Sequence, residues 1–138
     1  MDITLNDVTK NDWDYILDLR NADFSGFPQQ TKPLTKDEHY AYLSSQETNP
    51  NFHHWLVTFQ SQNIGYVRIK DDDVGIMIQK EFQNKGFATL ALQLVEEQAR
   101  KLGMKKLVAL IVPENIGSKK AFLKNNFEER LHRLEKDL

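Results

Sequence analysis

The chain has 138 residues, 40% hydrophobic and 28% charged, a composition typical of one globular domain and not of a disordered segment. Its net charge of -2 at pH 7 excludes the strongly basic surface of a general nucleic-acid or membrane binder. The absence of cysteine excludes disulfides, a thiol nucleophile and a zinc–thiolate site. We therefore expect a single cytoplasmic domain over residues 1–138, with no membrane span and no leader segment.

The first third of the chain predicts one strand and two helices. Residues 3–8 alternate apolar and polar side chains, as a half-buried strand does. Apolar residues at helical spacing follow from Asn11, and residues 24–33, with one glycine and two prolines, predict a loop. A second helix begins at Thr35, because Thr35 and Glu38 have the spacing of a capping box.

The middle and end of the chain predict a sheet that is covered on both sides. Residues 52–60, 64–70 and 74–79 form an antiparallel meander with short polar turns. A long amphipathic helix then runs from Gly86 to Gly103. A continuously apolar strand at 107–112, a helix at 118–125 and a last strand from Phe127 complete the chain. The fold class is α/β, with the order β-α-α-β-β-β-α-β-α-β and a central mixed sheet flanked by helices.

Gly86 stands where the long helix begins, directly after a strand and a short turn. The first N–H groups of a helix have no intrahelical partner, and the helix dipole adds positive charge there. Without a side chain at Gly86, phosphate oxygens can approach these N–H groups closely. A second explanation is that glycine merely eases the turn into the helix.

Two short segments resemble the GNAT superfamily of N-acetyltransferases. Residues 83–88, QNKGFA, are similar to its Q/R-x-x-G-x-G/A pyrophosphate-binding signature and lie at the same place in the element order. Further on, Asn115, Ser118, Phe122 and the pair Asn126-Phe127 follow a second pattern of the family.

The resemblance implies that acetyl-CoA is the co-substrate and that no metal is needed. In GNAT enzymes the fourth and fifth strands separate, and the pantetheine arm of acetyl-CoA lies between them. The residues that the resemblance assigns to acetyl-CoA are Ile76, Met77, Ile78, Gln83, Asn84, Lys85, Gly86, Phe87, Ala88, Thr89, Asn115, Ser118 and Phe122.

The catalytic groups depart from the family pattern. Many members carry a tyrosine acid where this chain has Phe122. Here Tyr66, Tyr40, Tyr42 or water must supply the proton, or the thiolate must leave unassisted. Members that acetylate protein N-termini carry a glutamate where this chain has Leu110. The carboxylates left as base candidates are Asp73 and Glu114, either of which also suits a solvated turn.

The acceptor is expected to be a primary amine of a small molecule. Arg20-Asn21 and the loop that follows resemble the nucleotide-amino-sugar N-acetyltransferases, so a nucleotide-linked amino sugar is one candidate. Arg20 and Asn21 also suit the end of a helix, as a cation and a cap. The alternatives are a protein N-terminal acetyltransferase and a non-catalytic acyl-CoA-binding module. The family usually ends in a two-strand hairpin, so we expect the last strand here to be short, missing or supplied by the partner in a homodimer.

Overall fold

A computed structural model describes residues 2–22 and 30–138, and places four strands in one antiparallel sheet of order β1-β2-β3-β4. The strands are β1 (Ile3–Asp7), β2 (Phe52–Phe59), β3 (Gln62–Lys70) and β4 (Asp73–Ile78). The helices are α1 (Trp13–Ala22), α2 (Lys36–Gln46), α3 (Phe87–Lys101) and α4 (Ile116–Lys124), with 3-10 turns at Lys10–Asp12 and Lys80–Phe82. Most of the predicted 24–33 loop lies outside the described residues.

Helices cover both faces of the sheet. Val67 and Ile76, which face one another on β3 and β4, pack on α3 through Leu92 and Val95. On the opposite face, α1 and α2 pack on side chains that include Leu56 and Tyr66. This arrangement confirms the predicted fold class and the antiparallel meander. The predicted capping box of α2 is also present, with reciprocal Thr35–Glu38 hydrogen bonds of 3.1 Å.

The predicted strand at 107–112 is mostly absent. This segment is extended, but its pairing with β4 is one parallel bridge between Asp73 and Val108. The Val74 N–H donates to the Val108 carbonyl, and the Val108 N–H donates to the Asp72 carbonyl, both at 2.8 Å. Leu110 is 50% exposed, because the segment leaves the sheet after Val108. The parallel part of the predicted mixed sheet is therefore this single bridge.

The predicted last strand, from Phe127, is wrong. Residues 127–138 form neither helix nor strand. The Phe127 ring packs edge-on against Phe122, with ring centroids 4.9 Å apart, while Leu131 and Leu134 are exposed. Residues 107–112, which lie beside β4, are themselves not paired along their length and so do not extend the sheet towards this segment.

Candidate active site

The loop between β4 and α3 presents backbone N–H groups to solvent. Gly86 is exposed and has φ 87°, a left-handed conformation that favours glycine. The left-handed turn is therefore sufficient to explain why residue 86 is glycine, without any phosphate. The Leu90 N–H is bonded to the Gly86 carbonyl at 3.2 Å, so the N–H groups of residues 87–89 come before the first helical bond.

The start of α3 differs from the starts of α2 and α4. Thr35 caps α2, and the Asn115 side chain caps α4 by accepting the Ser118 N–H at 3.2 Å. No side chain among the described residues caps Gly86 at the start of α3. The N–H groups of residues 87–89, which have no hydrogen-bond partner in the described part of the chain, therefore lie at the positive end of a 15-residue helix, next to the exposed Gly86. Such a place suits an anion such as a pyrophosphate.

An opening separates β4 from residues 109–112. It is closed at one end by the Asp73–Val108 bridge. Beyond the bridge, backbone hydrogen bonds between β4 and this segment are absent from the described residues. The chain of β4 leads from the closed end to the loop that precedes α3, so the opening extends towards the uncapped start of this helix.

The direction of the backbone groups along β4 follows from two bonds. The Gln79 N–H donates to Ile64 on β3, whereas the Val74 N–H donates away from β3 to Val108. Because backbone groups alternate in an antiparallel ladder, those of Ile76 and Ile78 face the opening, and those of Met77 face β3. The Ile78 carbonyl already accepts the Gln83 side-chain amide at 2.9 Å. The opening therefore offers the N–H and C=O of Ile76 and the N–H of Ile78.

The second sequence pattern lies next to α3. Phe122 is 4% exposed and belongs to the core between the sheet and the helices. The Asn125 amide donates to the Thr89 carbonyl at 3.1 Å and ties α4 to the first turn of α3. Asn115 and Ser118 are bonded to one another, which leaves the Asn115 amide N–H groups for a ligand. Phe122 therefore acts first as a packing residue.

The base candidates lie in different surroundings. Asp73 lies at the closed end of the opening, on the face of the sheet that α1 and α2 cover. Its carboxylate pairs with Arg68 at 3.4 Å, and both side chains are about a quarter exposed. The Arg68 guanidinium lies over Gly75, where a Cβ would be 3.2 Å from the Arg68 Cζ. Glu114 is exposed in the turn before α4.

Of the three tyrosines that could replace the missing acid, Tyr66 and Tyr40 are hydrogen-bonded to other groups, and two cations lie against the ring of Tyr42. Tyr66 is 4% exposed and its hydroxyl is 2.9 Å from His54 Nδ1. Burial raises the pKa of Tyr66, which makes it a weaker acid. The exposed Tyr40 hydroxyl donates to Asp14 at 2.8 Å. These contacts favour water or unassisted departure of the thiolate.

The two residues predicted to bind the acceptor have different surroundings. The Asn21 amide accepts from the Leu34 N–H at 2.8 Å and donates to the Leu34 carbonyl at 2.9 Å, so it holds the chain that leads into α2. The Arg20 side chain instead contacts α2, where its Nη1 is 3.3 Å from His39 Nδ1. We assign Asn21 to structure and keep Arg20 as a candidate for the acceptor.

Sequence reasoning missed Arg68 and His39. His39 carries no recognisable context in the sequence, yet it is fully buried. Arg68 has a signal in retrospect, since it is a cation within an apolar strand and faces a glycine, Gly75, on the next strand.

Residues 2–22 and 30–138 contain no helix long and apolar enough to cross a membrane. The described part of the chain also contains no group of three or more His, Asp or Glu side chains arranged to hold a metal ion.

Comparison with solved structures shows the same fold. A spermidine N-acetyltransferase from Vibrio cholerae, solved with CoA and spermine, is 21% identical and has a TM-score of 0.85, over 99% of this chain and 86% of that chain. A domain from Methanocaldococcus jannaschii is 24% identical, with a TM-score of 0.84 over 94% of this chain and 90% of that chain. An N-acetyltransferase from Staphylococcus aureus Mu50 is 22% identical, with a TM-score of 0.77 over 93% and 84% of the two chains.

Among proteins of curated function, none matches the sequence. The family model described as the acetyltransferase (GNAT) domain matches residues 2–128, nearly the whole chain. The expectation of an acetyl-CoA-dependent N-acetyltransferase is confirmed at this level. The chain belongs to the GNAT acetyltransferase family.

Proposed function

We propose that the protein transfers the acetyl group of acetyl-CoA to a primary amine of a small molecule. The observation that carries this proposal is the opening beside β4, which is closed at Asp73 and extends beside the uncapped start of α3. An extended arm ending in a pyrophosphate needs both features, since it requires strand-like hydrogen bonds and then an anion site.

The residues fit the parts of acetyl-CoA in the order in which they occur along the chain. Ile76 and Ile78 offer backbone groups to the amides of the pantetheine arm, and Met77 contributes its side chain only. The N–H groups from Asn84 to Thr89 hold the pyrophosphate, and Lys85 adds a positive charge. The free amide of Asn115 reaches the arm from the other side of the opening.

Catalysis requires a neutral amine close to the thioester. The amine nitrogen forms a bond to the acetyl carbon, the carbon–sulfur bond breaks, and one amine proton passes to a base. Asp73 is our first candidate for that base, because it lies at the closed end of the opening, and Glu114 is the second. The sulfur leaves as a thiolate, which a thiol pKa of about 8.5 makes a good enough leaving group without a protein acid, and water then protonates it.

The identity of the acceptor has several candidates. A nucleotide-linked amino sugar follows from the resemblance of Arg20-Asn21, and a polyamine would follow from the Vibrio cholerae neighbour. A protein N-terminus is disfavoured by Leu110, which replaces the glutamate of that branch. A non-catalytic acyl-CoA-binding module would keep the acetyl-CoA site and lack turnover.

Two measurements test the proposal. Acetyl-CoA at about 100 times its dissociation constant should stabilise the fold by roughly 2.7 kcal/mol, seen as a rise in melting temperature. Free thiol should then be released from acetyl-CoA when primary amines are added. Stabilisation without thiol release for any of a broad set of amines would favour the binding module. No stabilisation would refute the acetyl-CoA site itself.

A further inference from the structure

Granting the proposed function, we infer that the acceptor amine carries a carboxylate or phosphate group and that Arg20 binds it. Arg20 lies in the last turn of α1 and is partly buried. Its guanidinium lies over the ring of Tyr42, with Cζ 5.6 Å from the ring centroid. Its hydrogen bond goes to His39 on α2 and not to the carbonyl groups at the end of α1, so it is not an ordinary helix-terminal cation.

His39 fixes the orientation of the guanidinium. His39 Nε2 is 2.8 Å from the Trp13 carbonyl oxygen. Because a carbonyl only accepts, Nε2 carries the proton, and Nδ1 is free to accept from Arg20. Burial lowers the pKa of His39, so the ring stays neutral at pH 7 and keeps this pattern of donors. His39 thereby holds Nη1 of the Arg20 guanidinium, and the other N–H groups have no hydrogen-bond partner among residues 2–22 and 30–138.

Within the described ranges 2–22 and 30–138, the charged side chains nearest to Arg20 are cations. Lys70 Nζ is 5.4 Å from the Tyr42 ring centroid, so two cations lie against one ring. Burial lowers the pKa of Arg20; Tyr66 and Tyr42 raise it by smaller amounts, and the like charge of Arg68 lowers it. Asp73 is taken by Arg68, and Arg20 forms no salt bridge within residues 2–22 and 30–138. A half-buried cation beside other cations is costly unless an anion joins it.

The place of this cation cluster points to the acceptor. Arg68 lies over Gly75 on β4, on the face that carries the Asp73 carboxylate at the closed end of the opening. A molecule bound between this face and α1 would have its amine near Asp73 and an acidic group near Arg20. A polyamine, which carries only positive charges, would be repelled here. The site therefore selects acceptor amines that carry an acidic group over amines that do not.

Calorimetric titration of matched amines into the protein saturated with coenzyme A tests this inference. The pairs are 4-aminobutanoate with 1-aminobutane, and glucosamine 6-phosphate with glucosamine, and spermidine is the polycation. We expect the acidic member of at least one pair to bind about tenfold or more tightly than its neutral partner, as charge-assisted hydrogen bonds would produce. The pair that shows the difference distinguishes a carboxylate from a phosphate.

Arg20→Gln should abolish this preference, and Arg100→Gln, the same change at an exposed position of α3, should keep it. If Arg20→Gln does not fold, Arg20→Lys is the test variant, because lysine keeps the positive charge but lacks the planar guanidinium. Arg20→Lys should weaken the preference for the acidic amine. Equal binding within both pairs, stronger binding of spermidine, or an unchanged preference in the Arg20 variants would overturn the inference. Turnover of neutral and acidic amines at equal rates would leave the proposed function standing and remove only this inference.

Discussion

The two explanations of Gly86 can be separated by one substitution, Gly86→Asn. If glycine is needed only for its left-handed backbone, asparagine should replace it at little cost. Asn84 and Asn126 adopt the same conformation in this chain, with φ 61° and 66°. If phosphate must approach the backbone, the new side chain should block it. We therefore expect Gly86→Asn to fold normally and to lose affinity for acetyl-CoA.

The size of the effect can be worked out for a melting experiment. An unfolding entropy of about 2.1 cal/mol/K per residue gives this chain roughly 0.29 kcal/mol/K. A ligand at about 100 times its dissociation constant then raises the melting temperature by about 9 °C, and a hundredfold loss of affinity reduces the rise to about 1–2 °C. Without ligand, Gly86→Asn should melt within about 4 °C of the wild type.

Gly103→Asn is the matched control. Gly103 has φ 81° and lies just beyond the other end of α3, where an added Cβ meets nothing within 4 Å. It should show both the same modest change in stability and the full response to acetyl-CoA. A full response in Gly86→Asn as well would refute close phosphate approach and leave Gly86 with the turn alone.

Three further predictions concern single side chains. Asp73→Asn should lower the acetylation rate at neutral pH and recover part of it at higher pH, where the amine arrives neutral; Asp72→Asn is the control, and equal pH–rate profiles would exclude Asp73 as the base. Burial lowers the pKa of His54 from 6.5 to about 4, so protonation favours the unfolded state. The free energy of unfolding that depends on a neutral His54 is therefore fully present above about pH 6.5 and is lost as the pH falls towards 4. Urea unfolding at pH 7.5 and 4.5 should show a loss about 2–3 kcal/mol larger in the wild type than in His54→Gln, and equal losses would contradict the shift. Asn21→Ala should cost about 1–3 kcal/mol in urea unfolding by removing both hydrogen bonds to Leu34, whereas unchanged stability with a raised KM for the amine would return Asn21 to the acceptor site.

The elements with a clear period could be predicted from the sequence, because their own side chains carry the pattern. The stripe along α3 and the meander of three strands are of this kind. Residues 107–112 could not be predicted in the same way, since a continuously apolar run indicates burial but does not say which strand it pairs with. The separation of this segment from β4 after Val108 is set by tertiary packing, which the pattern of the segment itself does not contain.

In the candidate site, too, features formed by sequence neighbours could be predicted, and features formed by tertiary packing could not. The strand, turn and helix around Gly86 could be predicted because they are adjacent in the sequence, and the anion site there stays a prediction. The Arg20–His39 contact joins residues 19 positions apart and depends on how α1 packs against α2. The position of Arg68 over Gly75 depends on the register of β3 and β4. Single-sequence patterns contain neither kind of information.

The opening beside β4 also has a consequence for solubility. The N–H and C=O of Ile76 and the N–H of Ile78 have no backbone partner among the described residues, and such strand edges are templates for strands of other molecules. Acetyl-CoA bound along β4 would occupy this template, because it would use the same hydrogen bonds that an intruding strand needs. The co-substrate would then protect the folded protein from self-association. We expect the protein to aggregate faster when acetyl-CoA is scarce than when it is abundant.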